Sequence, residues 1–379
     1  MKKKYVIHQL SLVSIGGIQS TFQYYSSLAH EKSKFTHIVF TKHKIDKQYE
    51  KELKIQIRNL NNPLNFISFC FHLLSKNSVV NFYNNISSKK IHLLLKILPV
   101  RKILFHERGN AWNIKSNQAY IYKFNTEKAS LIVANSKASK SILFKKFGVN
   151  TGKIKVIYNG VLENIKYPNK KLESKINIGF IGRLDTNKGV NIFIESAKKL
   201  NDYNFNIAGT GPLEEYLKSQ CAKQENVRFY GRIENPYEFL KNQDLLIVPS
   251  IREPYGNVIV EAGIMKVPVI ASKIDGIPEI IKDGISGVLI EPKDDLDYNL
   301  TFDKTLPYPE FVVNSEGKLT KPNQLSPKDL IKEISSLLKN KDKMKLVTKN
   351  LYSFVKKNNT VEKYYQSLEK IFNKLLLDK

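Results

Sequence analysis

The chain has 379 residues, 42% of them hydrophobic, and its 61 Lys+Arg against 35 Asp+Glu give a formal charge of +26. That length calls for about two domains, and the apolar fraction belongs to a globular chain rather than a disordered one. Cys70 and Cys221 lie far apart without metal-ligand spacing, which excludes a disulfide framework, while the charge points to an anionic partner.

Met1-Lys2-Lys3-Lys4 opens like a basic signal region, but the apolar run over 5–12 is short, contains His8 and Gln9, and no cleavage site follows. The apolar stretches 66–74 and 91–105 are broken by His72, Lys96 and Arg101-Lys102, short of the ~20 residues of a membrane span. The expectation is a soluble, cytoplasmic protein, peripheral on the inner face of the membrane. Strands are expected over 5–9, 37–41, 79–83, 101–105, 131–134 and 155–157, and helices over 18–30, 86–97 and 136–147. Short apolar strands alternating with helices predict a parallel sheet covered on both faces.

Residues 158–174 read as a linker, with Asn159-Gly160 and Pro168 and no periodicity. A second series follows, with strands over 176–181, 205–208, 227–230, 245–248, 267–271 and 287–290, and helices over 189–200, 212–222 and 257–265. The fold class is therefore α/β, two doubly wound domains in tandem, whose ligands bind beyond the carboxyl ends of the strands, where the two edges could share one cleft. Residues 291–327 break the rhythm and read as an insertion, functional or mobile, without a clear helix. Amphipathic helices are expected over 330–338 and 361–377.

The charge divides unevenly. Residues 1–165 hold 27 Lys+Arg and 7 Asp+Glu, a net +20, and the remainder is nearly balanced at +6. A uniform lysine-rich bias would not strip the acids from one half only.

Two stretches carry chemistry. In Arg252-Glu253-Pro254-Tyr255-Gly256-Asn257-Val258-Ile259-Val260-Glu261-Ala262-Gly263, a strand passes through a glycine turn into a helix. The amides of Gly256, Asn257 and Val258 would face outward at the helix N-terminus, an anion site, with Glu253 in the loop and Glu261 within a turn or two. Either glutamate alone would read as a solvated charge favoured by the helix dipole. Together with the anion site they suit a ligand bearing hydroxyls and phosphates. In Gly179-Phe180-Ile181-Gly182-Arg183-Leu184-Asp185-Thr186-Asn187-Lys188-Gly189, Arg183 and Lys188 make a cationic rim fit for a diphosphate.

With Gly209-Thr210-Gly211-Pro212, Tyr230-Gly231-Arg232 and Gly276-Ile277-Pro278-Glu279, these stretches resemble the retaining glycosyltransferases of family 4, most specifically over 176–291. There the EX7E pair Glu253 and Glu261, the GR…KG turn and the G-x-PE segment occur in the family's order. Over 1–160 the resemblance rests on Gly16-Gly17, Ala134-Asn135-Ser136 and 156–161. It implies the GT-B fold, with an acceptor-binding domain over 1–165 joined by a crossing helix over 358–379, and a nucleotide-sugar domain over 166–357. It implies that Arg183 and Lys188 hold the diphosphate of a sugar nucleotide, UDP favoured, and that Glu261 binds the ribose and Glu253 the sugar. The backbone of Gly256, Asn257 and Val258 would assist. Arg232 and Ile233 would touch the base, and Gly16 and Gly17 would let the first loop approach the sugar and phosphate. His106, after a strand, would face the donor sugar, with Glu107 or Arg108 as alternatives. No metal cofactor is implied, and Asp295-Leu296-Asp297 reads as a solvated loop. Gly209-Thr210-Gly211 has Glu214 at the third glycine position of a dinucleotide motif, so NAD is weakly supported.

The activity expected is sugar transfer to a glycan or lipid-linked acceptor with retention of configuration, in capsule, O-antigen or lipooligosaccharide synthesis. The basic front half would dock an anionic membrane or phosphorylated glycolipid. A sugar-nucleotide epimerase is one alternative. A nucleic-acid-binding protein is another; it explains the charge but not the glutamate motif, and the chain has no recognised nucleic-acid module. Nucleic acid is not expected as a partner, and the oligomeric state stays open.

Overall fold

The structure, a computed structural model, describes residues 2–13, 17–42, 45–115, 119–163, 165, 175–301 and 305–377. Gly16 and most of the expected linker lie outside them. The chain divides into two compact units, Met1–Leu162 with Asn359–Lys379, and Glu163–Asn358.

The first unit is built on seven parallel strands: β1 (Tyr5–Gln9), β2 (Thr36–Thr41), β3 (Gln56–Asn59), β4 (Ser78–Tyr83), β5 (Ile103–Glu107), β6 (Leu131–Ala134) and β7 (Ile154–Val156). Their order is β3-β2-β1-β4-β5-β6-β7, so the direction of winding reverses between β1 and β4. The helices are α1 (Gly17–Lys32), α2 (Lys47–Glu52), α3 (Pro63–Leu74), α4 (Lys89–Ile97), α5 (Asn110–Asn113), α6 (Ala119–Lys128) and α7 (Lys137–Phe147). Every residue of β4 and β5 is buried, as a sheet covered on both faces requires.

The C-terminal helix, α14 (Val361–Leu377), belongs to this unit. Tyr364, Leu368, Phe372 and Leu376 recur every four residues, which lines them on one stripe. That stripe joins Phe22, Tyr25 and Ala29 of α1 in one core. Full burial of each such aromatic or leucine contributes roughly 1.5–3 kcal/mol. The returning chain crosses Gly160 so closely that a Cβ there would lie 2.6 Å from the Thr360 carbonyl oxygen. Only glycine fits.

The second unit holds six parallel strands: β8 (Asn177–Ile181), β9 (Asn204–Ala208), β10 (Val227–Gly231), β11 (Leu245–Val248), β12 (Val269–Ser272) and β13 (Val288–Ile290). The order β10-β9-β8-β11-β12-β13 reverses between β8 and β11. Its helices are α8 (Val190–Ala197), α9 (Glu214–Gln220), α10 (Pro236–Leu240), α11 (Asn257–Ile264), α12 (Pro327–Lys339) and α13 (Lys341–Asn358). Both sheets thus realise the doubly wound α/β class.

The segment 291–327 is better organised than its composition suggested. Strands β14 (Val312–Val313) and β15 (Leu319–Thr320) pair antiparallel. Leu300 and Leu325, from its two ends, are buried in the unit's core. Asp295 is exposed, in keeping with a solvated loop, whereas Asp297 is half-buried and caps a short turn by accepting from the Asn299 amide at 3.0 Å.

Candidate functional site

In the second unit the loops after β8 and β11 emerge side by side where the winding reverses, the place where open α/β sheets bind ligands. The two key motifs occupy these loops. Gly189 brings them together: its φ is +62°, and a Cβ would lie 2.0 Å from the Pro249 carbonyl oxygen. Gly256, at φ +107°, is the N-cap of α11 and makes no side-chain cap, which leaves that helix end to backbone groups.

Two of the expected residues, Lys188 and Glu253, meet here; Arg183 lies on the loop of the one and Glu261 on the helix that follows the loop of the other. Lys188 Nζ lies 2.5 Å from Glu253 Oε2, and Ser250 Oγ donates to the same oxygen at 3.2 Å. The Glu253 carboxylate is buried at 7% exposure, so its charge is held by this lysine rather than by water. Arg183 Nε sits 2.9 Å from Asp185 Oδ2, with the arginine side chain 55% exposed. Glu261 lies on the second turn of α11, where burial pushes its carboxyl up to about 7. It is not the solvated charge that an isolated glutamate would be.

Arg232 and Ile233 follow β10 at the far edge of the sheet, with β9 between that strand and β8. Arg232 is exposed and Ile233 half-buried.

Two aspartates that sequence reasoning did not single out hold the site in place. Asp275 takes φ +47° and donates its amide to the Val313 carbonyl at 2.7 Å. Its Oδ1 accepts from the Val313 amide at 2.7 Å and its Oδ2 from the Glu253 amide at 2.9 Å. The Gly276 amide donates to the Glu253 carbonyl at 3.1 Å, so both backbone groups of Glu253 are gripped. Asp185, 1% exposed, accepts from the amides of Thr186 at 2.8 Å and Leu306 at 2.9 Å. Thr186 Oγ1 and Asn187 Nδ2 donate to the carbonyls of Leu306 and Pro307. The segment 291–327 is therefore tied directly to the loop after β8 and, through Asp275, to the loop after β11. Asp185 stands inside the GR…KG stretch and Asp275 just before Gly276-Ile277-Pro278-Glu279, so position was the only available signal.

In the first unit Gly16 is outside the described residues, and Gly17 opens α1, its carbonyl accepting from Thr21 Oγ1 at 2.7 Å. His106 departs from expectation: the strand runs to Glu107, which places His106 within β5 rather than after it. The imidazole is fully buried, stacks on Tyr83 at 4.1 Å, and has no hydrogen-bond partner at either nitrogen. Burial and the neighbouring Arg108 hold its pKa well below 6.5, so it is neutral at pH 7. Glu107 accepts from the amides of Gly109 and Ala111 at 2.7 and 3.0 Å and from the Tyr122 hydroxyl. Arg108 donates to Asn159 Oδ1 at 2.7 Å and to the Tyr364 hydroxyl, which fastens α14 to the sheet edge. Both alternatives to His106 are thus engaged in holding the fold.

Among the described residues no group of three His, Cys, Asp or Glu side chains could hold a metal ion. No described helix is long and apolar enough to cross a membrane.

Residues 161–307, which contain both motif loops, match the family of glycosyl transferases group 1. The chain is 36% identical over 189 residues to a 41.2 kDa protein of the cps region of Klebsiella pneumoniae, covering 46% of this chain and 51% of that protein. It is 27% identical over 241 residues to the O-antigen biosynthesis glycosyltransferase WbnH of Escherichia coli, covering 62% and 70%. The chain spans about half the length of the first curated relatives it matches. The crystal structure of Anabaena Alr3699/HepE in complex with UDP-glucose aligns with a TM-score of 0.77 at 18% identity, covering 97% of this chain and 99% of that one. At that identity the likeness is one of fold, the paired Rossmann-like domains of the GT-B type.

Proposed function

We propose that the chain is a retaining glycosyltransferase. It moves a sugar from a nucleoside-diphosphate sugar, UDP favoured, to a hydroxyl of a glycan or lipid-linked glycan during capsule or O-antigen-type polysaccharide synthesis. The observation that carries the reading is the Lys188–Glu253 pair beside Arg183 at the switch point of a group 1 glycosyltransferase domain. The UDP-glucose in the Anabaena neighbour favours UDP.

In this reading Arg183 and Lys188 take the diphosphate. As a phosphate oxygen engages Lys188, the Glu253 carboxylate turns to the hydroxyls of the transferred sugar. Glu261 accepts from the ribose hydroxyls, the backbone of Gly256, Asn257 and Val258 supports sugar and phosphate, and Arg232 with Ile233 meets the base. Breaking the sugar–phosphate bond places charge on the leaving diphosphate, which Arg183, Lys188 and the α11 N-terminus stabilise. The leaving phosphate takes the acceptor proton as the acceptor attacks from the same face, which retains configuration. No metal cofactor enters this reading. The basic first half is read as the dock for an anionic inner-membrane surface.

A thermal-shift screen of UDP-, GDP- and ADP-sugars followed by transfer assays tests the reading. Arg183→Ala and Glu261→Ala are expected to abolish transfer with the fold retained; wild-type transfer by both would sink it. Isomerisation of the donor without an acceptor would indicate an epimerase instead.

A further inference from the structure

The segment 291–327, which the proposed chemistry leaves unused, carries a cavity of its own, of about 400 Å³. Tyr298, Thr301, Thr305, Pro307, Tyr308 and Pro309 line it. The size is that of a small-molecule site. Its walls are held by the chain itself. Leu300 anchors the short turn Tyr298–Leu300 in the unit's core, and Thr301 Oγ1 donates back to the Tyr298 carbonyl at 2.6 Å. The Tyr308 hydroxyl donates to the Asp297 carbonyl at 3.0 Å, which fixes that ring across the turn. The two tyrosine rings meet edge to face, 5.5 Å apart and at 85°.

The lining describes the ligand. In a chain of formal charge +26, none of these six side chains is charged. The stretch leading into the turn, residues 291–297, sets four carboxylates, Glu291, Asp294, Asp295 and Asp297, against Lys293. Such a rim repels phosphates, nucleic acid and anionic lipid, and leaves a neutral ligand. Tyr298 keeps 68% of its surface exposed, although a large aromatic gains from burial. A pyranose ring meets all of this. Its C–H bonds lie on the electron-rich face of a tyrosine, while its hydroxyls meet threonine hydroxyls and peptide carbonyls at the edge. A nucleobase would stack as well, but its nucleotide would bring phosphates against the acidic rim.

The place of the cavity gives the sugar its role. Pro307, which lines it, offers its carbonyl to Asn187, the neighbour of Lys188, at 3.1 Å. Leu306 is held by Asp185 and Thr186 of the same loop. The cavity is thus fastened to the loop that the donor reading assigns to the diphosphate.

We propose that Tyr298 and Tyr308 form a platform for a neutral sugar residue of the acceptor glycan, outside the diphosphate site. The proposal deepens the glycosyltransferase reading, on which it rests for the identity of the glycan as acceptor.

The test is saturation-transfer NMR on the full chain, with maltotriose, cellotriose, mannotriose and triacetylchitotriose as neutral probes and uridine as a separate arm. At least one trisaccharide is expected to bind, with transfer strongest at its ring C–H protons. Tyr298→Ala, at an exposed position, should weaken that trisaccharide about tenfold, and Tyr298→Phe, which keeps the ring, should leave it within about twofold. No binding by any trisaccharide, undiminished affinity in Tyr298→Ala, or an equal loss in both variants overturns the proposal. Displacement of the trisaccharide by uridine also overturns it, since the cavity would then be a nucleoside site. UDP is titrated into the same samples. If the trisaccharides fail while UDP binds, the platform falls alone. If UDP fails while a trisaccharide binds as expected, the platform stands and the donor reading falls.

Discussion

Lys188 and Glu253, 65 residues apart in sequence, form a 2.5 Å ion pair that joins the loop after β8 to the loop after β11. The lysine keeps 29% of its side chain exposed while the carboxylate side chain keeps 9%, so the pair presents its cation outward and hides its anion. A phosphate arriving at the surface meets the lysine first.

Removing one partner should therefore expose the asymmetry. Lys188→Met leaves Glu253 buried without its counter-charge and is expected to cost about 1–3 kcal/mol, less than a fully buried pair because the lysine is partly solvated. Adding Glu253→Gln should recover most of that stability and none of the transfer. Urea unfolding and a transfer assay on the single and double variants read the two effects separately.

Asp275 touches no proposed ligand yet grips the Glu253 amide and both backbone groups of Val313. Asp275→Ala is expected to cost about 2–4 kcal/mol, from lost charge-assisted bonds and a left-handed backbone that alanine tolerates poorly. Transfer should fall further than the remaining folded fraction explains, because the Glu253 loop loses its anchor. Circular dichroism and steady-state kinetics at a temperature where the variant is folded separate these. Equal kcat in the folded variant would remove the positioning role.

Glu261 should destabilise the free protein at alkaline pH. Its carboxyl is raised from 4.5 to about 7 by burial, so folding opposes its ionisation. The cost begins as pH rises above 4.5, where the unfolded chain ionises, and is complete above about 7. Glu261→Gln removes it, raising stability by roughly 1–3 kcal/mol at pH 8 and by little at pH 4.5, while donor affinity falls. Melting temperatures of the two proteins across that range should diverge as pH rises.

The first unit carries the opposite sensitivity. His37 is buried between His8 Nε2 at 3.0 Å and Ser33 Oγ at 2.9 Å, and burial lowers its pKa from 6.5 to about 4. Its neutral form is stabilised in the fold, so stability is full above pH 6.5 and is lost as pH falls toward 4, by about 3 kcal/mol. His37→Gln should flatten this part of the acid denaturation curve.

The sequence makes the alternation of strands and helices legible because both sheets are buried on two faces and their strands read as short apolar runs. Edge strand β3, Gln-Ile-Arg-Asn, escaped for the converse reason: one apolar residue in four leaves no pattern. Helix α13 was hidden among lysines, its buried face reduced to Val347, Leu351 and Val355. Arg183, Lys188, Glu253 and Glu261 could be found because glycine turns mark the loops that carry them. Asp185 and Asp275 could not, since their work is done on backbone amides of 253, 306 and 313 that only the folded chain brings near. The same folding places His106 inside its strand, where register rather than composition decides which way a side chain faces.

The most direct measurement is isothermal titration of UDP, GDP and ADP into the wild-type chain and Arg183→Ala. The account predicts that one of the three binds the wild type and that its affinity drops at least about tenfold in the variant, with the melting temperature unchanged. No binding by any of them, or equal affinity in both proteins, would contradict it.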